Sequence, residues 1–144
     1  MDLTKNYPRS AKQKMAGIVS LPRMTDKARA LNAGTLGEYD FDCPHDKPVL
    51  AFLGVDGPTF AAKARDARDD EIEVWARERL AGKSPGEIAA FNESREGWRP
   101  DPGSHSAEYF DKLRAQVAPD RPEIVTWFDL LDLDEKRPVP TAHP

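Results

Sequence analysis

Ser84-Pro85-Gly86-Glu87-Ile88-Ala89-Ala90-Phe91 writes a helix start in side-chain chemistry. The Ser84 hydroxyl can accept from the amide of Glu87 while the Glu87 carboxylate reaches back to the amide of Ser84. Pro85 takes the first helical position, where a missing N–H costs nothing. Ile88 and Phe91 then open an apolar face. Working outward, Asp56 reads as another N-cap, with Val55 before it and Phe60 after it placed as a hydrophobic staple, so a helix is expected over about 57 to 67. Asp69 or Asp70 is expected to cap a helix carrying Ile72, Trp75, Ala76 and Leu80 and ended by Gly82. Further on, Tyr109, Phe110, Leu113 and Val117 mark a helix begun near Ser106 and stopped by Pro119. Ile124, Trp127, Phe128 and Leu131 mark the next, begun near Pro122. Upstream, Leu21, Met24, Ala28 and Leu31 recur at helical spacing between Ser20 and Gly34. Val49, Leu50 and Leu53 make a short helix with Asp46 as its N-cap and Gly54 as its stop.

Only Tyr39 and Phe41, alternating with Glu38, Asp40 and Asp42, suggest strand, and one such piece cannot make a sheet. The expected class is therefore all-α: a single compact domain over residues 1–144, with about six or seven short helices and negligible strand. The run from Trp98 to Ser106 holds two prolines and a glycine and reads as a connector. Residues 136–144 hold three prolines and read as an extended tail.

A chain of 144 residues can bury a real core without disulfides or metals, and the single cysteine, Cys43, forbids an intrachain disulfide. With only His45, His105 and His143 beside it, a structural zinc site is not expected. No apolar window is long enough to span a membrane, and the N-terminus MDLTKNYPRSAKQK lacks the apolar centre of a signal peptide, so a soluble cytoplasmic protein is expected. Charge is uneven. Residues 1–38 carry seven Lys/Arg against three Asp/Glu, net +4, and the remainder carries fourteen against twenty-two, net −8. A basic N-terminal segment, residues 1–19, packed on an acidic helical body follows from that asymmetry. Seven cations without interleaved aromatics, in a chain of net charge −4, argue against a nucleic-acid surface.

Several strings carry a family resemblance: Asp2-Leu3-Thr4-Lys5, Tyr7-Pro8-Arg9-Ser10, Leu21-Pro22-Arg23-Met24, Asp26-Lys27-Ala28-Arg29-Ala30 and Gly34-Thr35-Leu36-Gly37-Glu38-Tyr39. It continues through Cys43-Pro44, Phe52-Leu53-Gly54-Val55-Asp56 and Thr126-Trp127-Phe128-Asp129-Leu130-Leu131-Asp132. Together these resemble a bacterial family of small uncharacterised proteins, a domain of unknown function. The resemblance implies kinship along nearly the whole chain and brings no activity, ligand or catalytic residue with it.

The segment from Arg9 to Cys43 holds the most chemistry. On the expected helix from 21 to 33, Arg23 and Lys27 lie one turn apart, and their repulsion asks for an offset that Asp26, three residues from both Arg23 and Arg29, can supply. Such a salt-bridged face is the plain structural reading. The functional one is an anion site in which Arg9, Arg23 and Arg29 offer bidentate guanidinium groups, Lys27 a point charge and Thr35, Gly37 and Tyr39 loop donors. Gly34 and Gly37 match no nucleotide fingerprint. Cys43-Pro44-His45 has the types for an activated thiol, although no third orienting residue is evident and Cys43 is better read as a buried or half-buried thiol. Asp129 and Asp132, near a helix end, oppose its dipole and ask for cations from elsewhere. Trp98, in the connector and outside the periodic stripes, is placed to cap the core or stand at an interface.

These readings lead to a non-catalytic binding or interaction module for a small anionic ligand or a protein partner, with ligand-binding residues Arg9, Arg23, Lys27, Arg29 and Tyr39. The alternative is a small enzyme using Cys43 or a carboxylate next to the basic N-terminal region. No metal or other cofactor is required by either.

Overall fold

The computed structural model describes residues 1–141. Its elements run β1 (Lys14–Met15), β2 (Ile18–Val19), α1 (Leu21–Ala33), α2 (Lys47–Leu53), α3 (Gly57–Asp66), α4 (Asp69–Arg79), α5 (Pro85–Glu96), α6 (His105–Val117) and α7 (Trp127–Asp134). The protein is mostly α-helical, with seven helices and one small hairpin among the described residues. Two compact units are formed, Met1–Phe91 and Asn92–Pro144.

In the first unit, β1 and β2 pair antiparallel with Lys14 opposite Val19 and Met15 opposite Ile18. Their two-residue turn holds Ala16 at φ 55° and Gly17 at φ 81°, the left-handed pair that matches the twist of a tight hairpin. Strand was expected at Tyr39 and Phe41 instead. Those residues lie in irregular chain, where Phe41 turns inward to stack near Phe60, ring centroids 6.3 Å apart. The hairpin buries Ile18 and Val19 and delivers the chain into α1. Ser20 stands at the N-cap in the left-handed region, but its hydroxyl donates to the Ala11 carbonyl (3.2 Å) and so anchors the incoming segment. At the other end Gly34, at φ 70°, lets Thr35 N–H return to the Ala30 carbonyl (2.8 Å) and closes the helix.

Helix α1 packs chiefly on α3. The core gathers Ile18, Leu21, Met24, Val49, Leu53, Phe60 and Ile72, each with almost no exposed surface. Burying a side chain of this size contributes about 1.5–3 kcal/mol, so these few residues carry much of the unit's stability. Asp56 caps α3 by accepting from Thr59 N–H (2.8 Å), and Val55 packs against the cluster that holds Phe60. Helix α4 differs from expectation. Its N-cap is Arg68, whose N–H donates to the Glu71 carboxylate (3.0 Å), which leaves Asp69, the first helical residue, available for other partners. That helix also stops at Arg79, short of Gly82. The reciprocal box opening α5 is present, Glu87 N–H to Ser84 Oγ and Ser84 N–H to Glu87 Oε1, both 3.1 Å.

The second unit is built on α6 and α7. Helix α6 begins at His105, near Ser106 as expected, capped by Ser104 accepting from Ala107 N–H (3.1 Å). The start of α7 shifts from the Pro122 region to Thr126, which caps it by accepting from Asp129 N–H (3.3 Å), because the cap sits one residue before helical backbone begins. Phe110, Ile124, Trp127, Leu130 and Val139 form the core, with Trp98 and Leu113 packed on it. Val139 belongs to the proline-rich tail, so the tail is not loose. Arg121 Nη1 donates to the Val139 carbonyl (2.6 Å), and Arg137 N–H donates to the Asp132 carbonyl (2.7 Å). The tail's last residues, 142–144, lie outside the described residues.

Candidate functional site

The charged residues of α1 are buried. Arg23, Asp26 and Lys27 expose only 6%, 2% and 4% of their surface, so this helix has a charged face turned into protein. Burying charge is costly unless each group is paired, and the pairing here is long-range. Asp26 accepts from Arg9 at three points: backbone N–H (2.9 Å), Nε (3.1 Å) and Nη2 (3.0 Å). Arg9 then turns its Nη1 to Asp69 (2.9 Å). Arg29 meets the other oxygen of that carboxylate through Nη1 (2.8 Å) and fixes itself to the Ala67 carbonyl through Nη2 (3.0 Å). Arg23 donates to the Arg9 carbonyl (3.2 Å) and lies over the Tyr39 ring, 5.6 Å from its centroid.

Sequence spacing assigned Asp26 to Arg23 and Arg29 as a local bridge. The structure brings Arg9 to Asp26 from 17 positions away and gives Arg29 to Asp69, 40 positions on. The N-terminal segment covers the charged face of α1, with Pro8 and Ser10 buried on either side of Arg9. Arg9, Arg23, Arg29 and Tyr39 are thereby brought into one continuous cluster.

Lys27 sits one turn further along α1 with a different set. Its Nζ forms an ion pair with Asp46 (2.9 Å), both side chains nearly fully buried, and lies 3.4 Å from Cys43 Sγ. Asp46 stands at the N-cap of α2, as expected, but its carboxylate turns back to the approaching loop: it accepts from Asp42 N–H (2.9 Å) and lies 3.5 Å from the Cys43 thiol. Asp42 in turn packs on Gly57, where an added Cβ would come within 2.5 Å of the Asp42 carboxylate and push it aside. Cys43 is half-buried, as expected.

Electrostatics follow the geometry. Burial opposes the charge on Arg9, but the hydrogen bonds and charges of Asp26 and Asp69 outweigh it and raise the pKa above the ordinary guanidinium value. At Asp69 partial burial pushes the pKa up, and the hydrogen bonds from Arg9 and Arg29 overcome that and hold it below the usual carboxylate value.

One surface feature was not singled out from sequence. Between α3 and α4 runs a groove of about 370 Å³ lined by Lys63, Asp70, Glu71, Val74, Trp75 and Glu78. Val74 is 58% exposed there, and the Trp75 ring is flanked by Lys63 Nζ (5.9 Å) and the Arg79 guanidinium (5.7 Å). Arg79 is held by the Leu53 and Gly54 carbonyls (2.7 and 2.8 Å), the free C-terminal acceptors of α2. The cue for this groove was Val74 beside Trp75 among acids, an apolar residue off the core-facing stripe. In the second unit, Tyr109 is 60% exposed and stacks near Trp127, and Trp98 packs on Trp127 with its own face covered by Arg95 at 4.4 Å. Asp132, one of the acids expected to need a cation, lies 3.9 Å from Arg137 Nη1.

Among the described residues no group of three or more His, Cys, Asp or Glu is placed to hold a metal ion, and no helix is long and apolar enough to cross a membrane. Compared with known sequences, residues 5–137 match the model of a family described as a Domain of unknown function (DUF5069). No curated protein matches the chain.

Proposed function

The chain belongs to the DUF5069 family, and from that kinship, which carries no activity, we propose that it is a non-catalytic interaction module that takes a basic, amphipathic segment of a protein partner in the groove between α3 and α4. The carrying observation is the groove's composition: the exposed Val74 and the Trp75 ring edged by Asp70, Glu71 and Glu78 and by one cation, Lys63, with Asp70 and Glu71 also bonded to Arg68. An apolar strip edged by acids complements a helix with an apolar face flanked by Lys or Arg. The α1 cations support the same reading from the other side, since Arg9, Lys27 and Arg29 already have protein carboxylates as partners. We place the protein in the bacterial cytoplasm, apart from nucleic acid and membrane, a setting that suits a free thiol and a net charge of −4.

Calorimetric titration with a short Lys/Leu helical peptide and its Glu/Leu counterpart tests this. Saturable binding of the first alone, abolished by Val74→Glu, is expected. Equal binding of both peptides, or an unaltered response in Val74→Glu, would overturn it.

A second reading, a small enzyme using Cys43, has one specific support: the Lys27 ammonium lies 3.4 Å from the Cys43 sulfur. Alkylation at neutral pH separates the two. An activated thiol reacts faster than free cysteine and slows on Lys27→Met; a rate like that of free cysteine removes the enzyme reading.

A further inference from the structure

We propose that Cys43 and Lys27 form a peroxide-responsive covalent tie, in which oxidation of the Cys43 thiol is followed by a sulfur–nitrogen bond to the Lys27 side chain. Its residues are not those of the α3–α4 groove, and neither reading of the function is needed for it. Lys27 Nζ lies 3.4 Å from Cys43 Sγ, and both meet the same Asp46 oxygen, Oδ2, at 2.9 and 3.5 Å. A nucleophilic sulfur, an amine and a carboxylate that can carry protons thus share one corner between α1 and the loop before α2.

Sequence and burial narrow what an oxidised sulfur can do here. Cys43 is half-buried, so a small oxidant can reach it, and it is the only cysteine, so a sulfenic acid formed on it has no second thiol in the chain to resolve it. The other trap within a chain is a backbone amide nitrogen. The residue that follows is Pro44, which has no N–H to give. Lys27 supplies the nitrogen instead. Its side chain is 4% exposed and held by Asp46, and its four-carbon stem is flexible enough for the nitrogen to close on the sulfur.

Hydrogen peroxide is the oxidant. Sulfur attacks one peroxide oxygen, the O–O bond breaks, and the departing hydroxide leaves as water with the thiol proton, giving the sulfenic acid of Cys43. Lys27 then gives one ammonium proton to Asp46, and its freed lone pair attacks sulfur as the S–O bond breaks. The leaving hydroxide takes a second proton from the nitrogen and departs as water. Sulfenic acid, ammonium and carboxylate thus become an S–NH bond, water and a carboxylic acid; the two electrons went from sulfur to peroxide in the first step, and the second is redox-neutral. The second step also removes both buried charges together, so closing the tie strands neither member of the Lys27–Asp46 pair. A dithiol reverses the bond by attacking sulfur and expelling the Lys27 amine.

The experiment treats the full chain with hydrogen peroxide at neutral pH and maps its peptides by mass spectrometry. In wild type the peptide holding Lys27 should be joined to the one holding Cys43, the linked pair about 2 Da lighter than the two apart. Alkylation of Cys43 should slow at least about tenfold, and dithiothreitol should restore both the separate peptides and the reactive thiol. These readings need no variant. Lys27→Met/Asp46→Leu, which removes both charges of the pair at once, should instead stop at the sulfenic acid, about 16 Da heavier at Cys43 and trapped by dimedone, before further oxidation. Wild type that stays reduced, that carries sulfenic or sulfinic acid on Cys43 with Lys27 free, or that dimerises through a disulfide overturns the proposal. A linked pair that keeps an oxygen, about 14 Da heavier than the two peptides apart, overturns it as well.

Discussion

Arg9 in the first unit and Arg95 in the second are both partly buried guanidinium groups, and the protein treats them in opposite ways. Arg9 is met by two carboxylates, and its pKa is raised in spite of burial. Arg95 lies over the Trp98 indole, 4.4 Å from its centroid, its Nη2 is buried with no hydrogen-bond partner among the described residues, and desolvation lowers its pKa. Burial costs both of them hydration. Only Arg9 recovers it by strong directional bonds; Arg95 recovers part of it by dispersion and the ring's quadrupole. One is therefore a structural anchor whose loss exposes other buried charges, and the other is a cover for an aromatic core whose charge does little.

The largest effect should come from Asp26→Ala. It leaves Arg9 Nε, Nη2 and backbone N–H without their acceptor at a site that is 2% exposed, with only Nη1 still held by Asp69, and breaking such a buried pair typically costs about 3–5 kcal/mol. Urea unfolding measures it. A loss under about 1 kcal/mol would mean that the α1 cluster is solvated and would erase the contrast with Arg95. Asp46→Ala should approach the same size, since it strands Lys27 and the Asp42 N–H together. The double variant Lys27→Met/Asp46→Leu is the sharper test. Replacing a buried pair by apolar groups of similar size is often neutral, so most of the single-variant loss should return.

The legible part of this molecule was the local part. Ser84 with Glu87, Asp56 with Thr59, and the glycines at 34 and 54 act within four residues, so their types and spacing already state the bond. The Ala16-Gly17 hairpin was missed although its signal was local too: two residues ending in glycine between Met15 and Ile18. Four flanking residues are too few for a period of two to show. The α1 cluster was legible only as a list. Its residue types, Arg9, Arg23, Lys27, Arg29 and Tyr39, stood out as cations and a donor, but their partners Asp46 and Asp69 lie 19 and 40 or more positions away. Nothing in a helical repeat says which acid folds back over it. The burial of the charged face was equally hidden, because a stripe of Arg, Asp and Lys reads as solvent-facing until the covering segment is in place.

Acid should separate the two arginines by a smaller amount. Asp69 has a folded pKa below the ordinary carboxylate value, so its ion pairs stabilise the fold above the unfolded pKa and are lost as pH falls through the folded one, in the range below about pH 4. The side chain is nearly half exposed, so the contribution should be under about 1 kcal/mol. Asp69→Asn should flatten the acid limb of stability between about pH 6 and about pH 3 relative to wild type. An unchanged slope would show that Arg9 is served by Asp26 alone.

Arg95→Met should change least, and for that reason it tests the comparison most directly. Methionine can keep the aliphatic cover of the Trp98 face, and its sulfur contact with an aromatic ring is worth about 0.3–1.5 kcal/mol, comparable to an exposed cation–π contact. It also removes a guanidinium nitrogen that is buried without an acceptor. The two changes oppose each other, so the urea midpoint should stay within about 0.5 kcal/mol of wild type or rise slightly. A loss above about 2 kcal/mol would mean that the Arg95 charge is held as tightly as that of Arg9, and the second unit would then depend on a buried cation just as the first does.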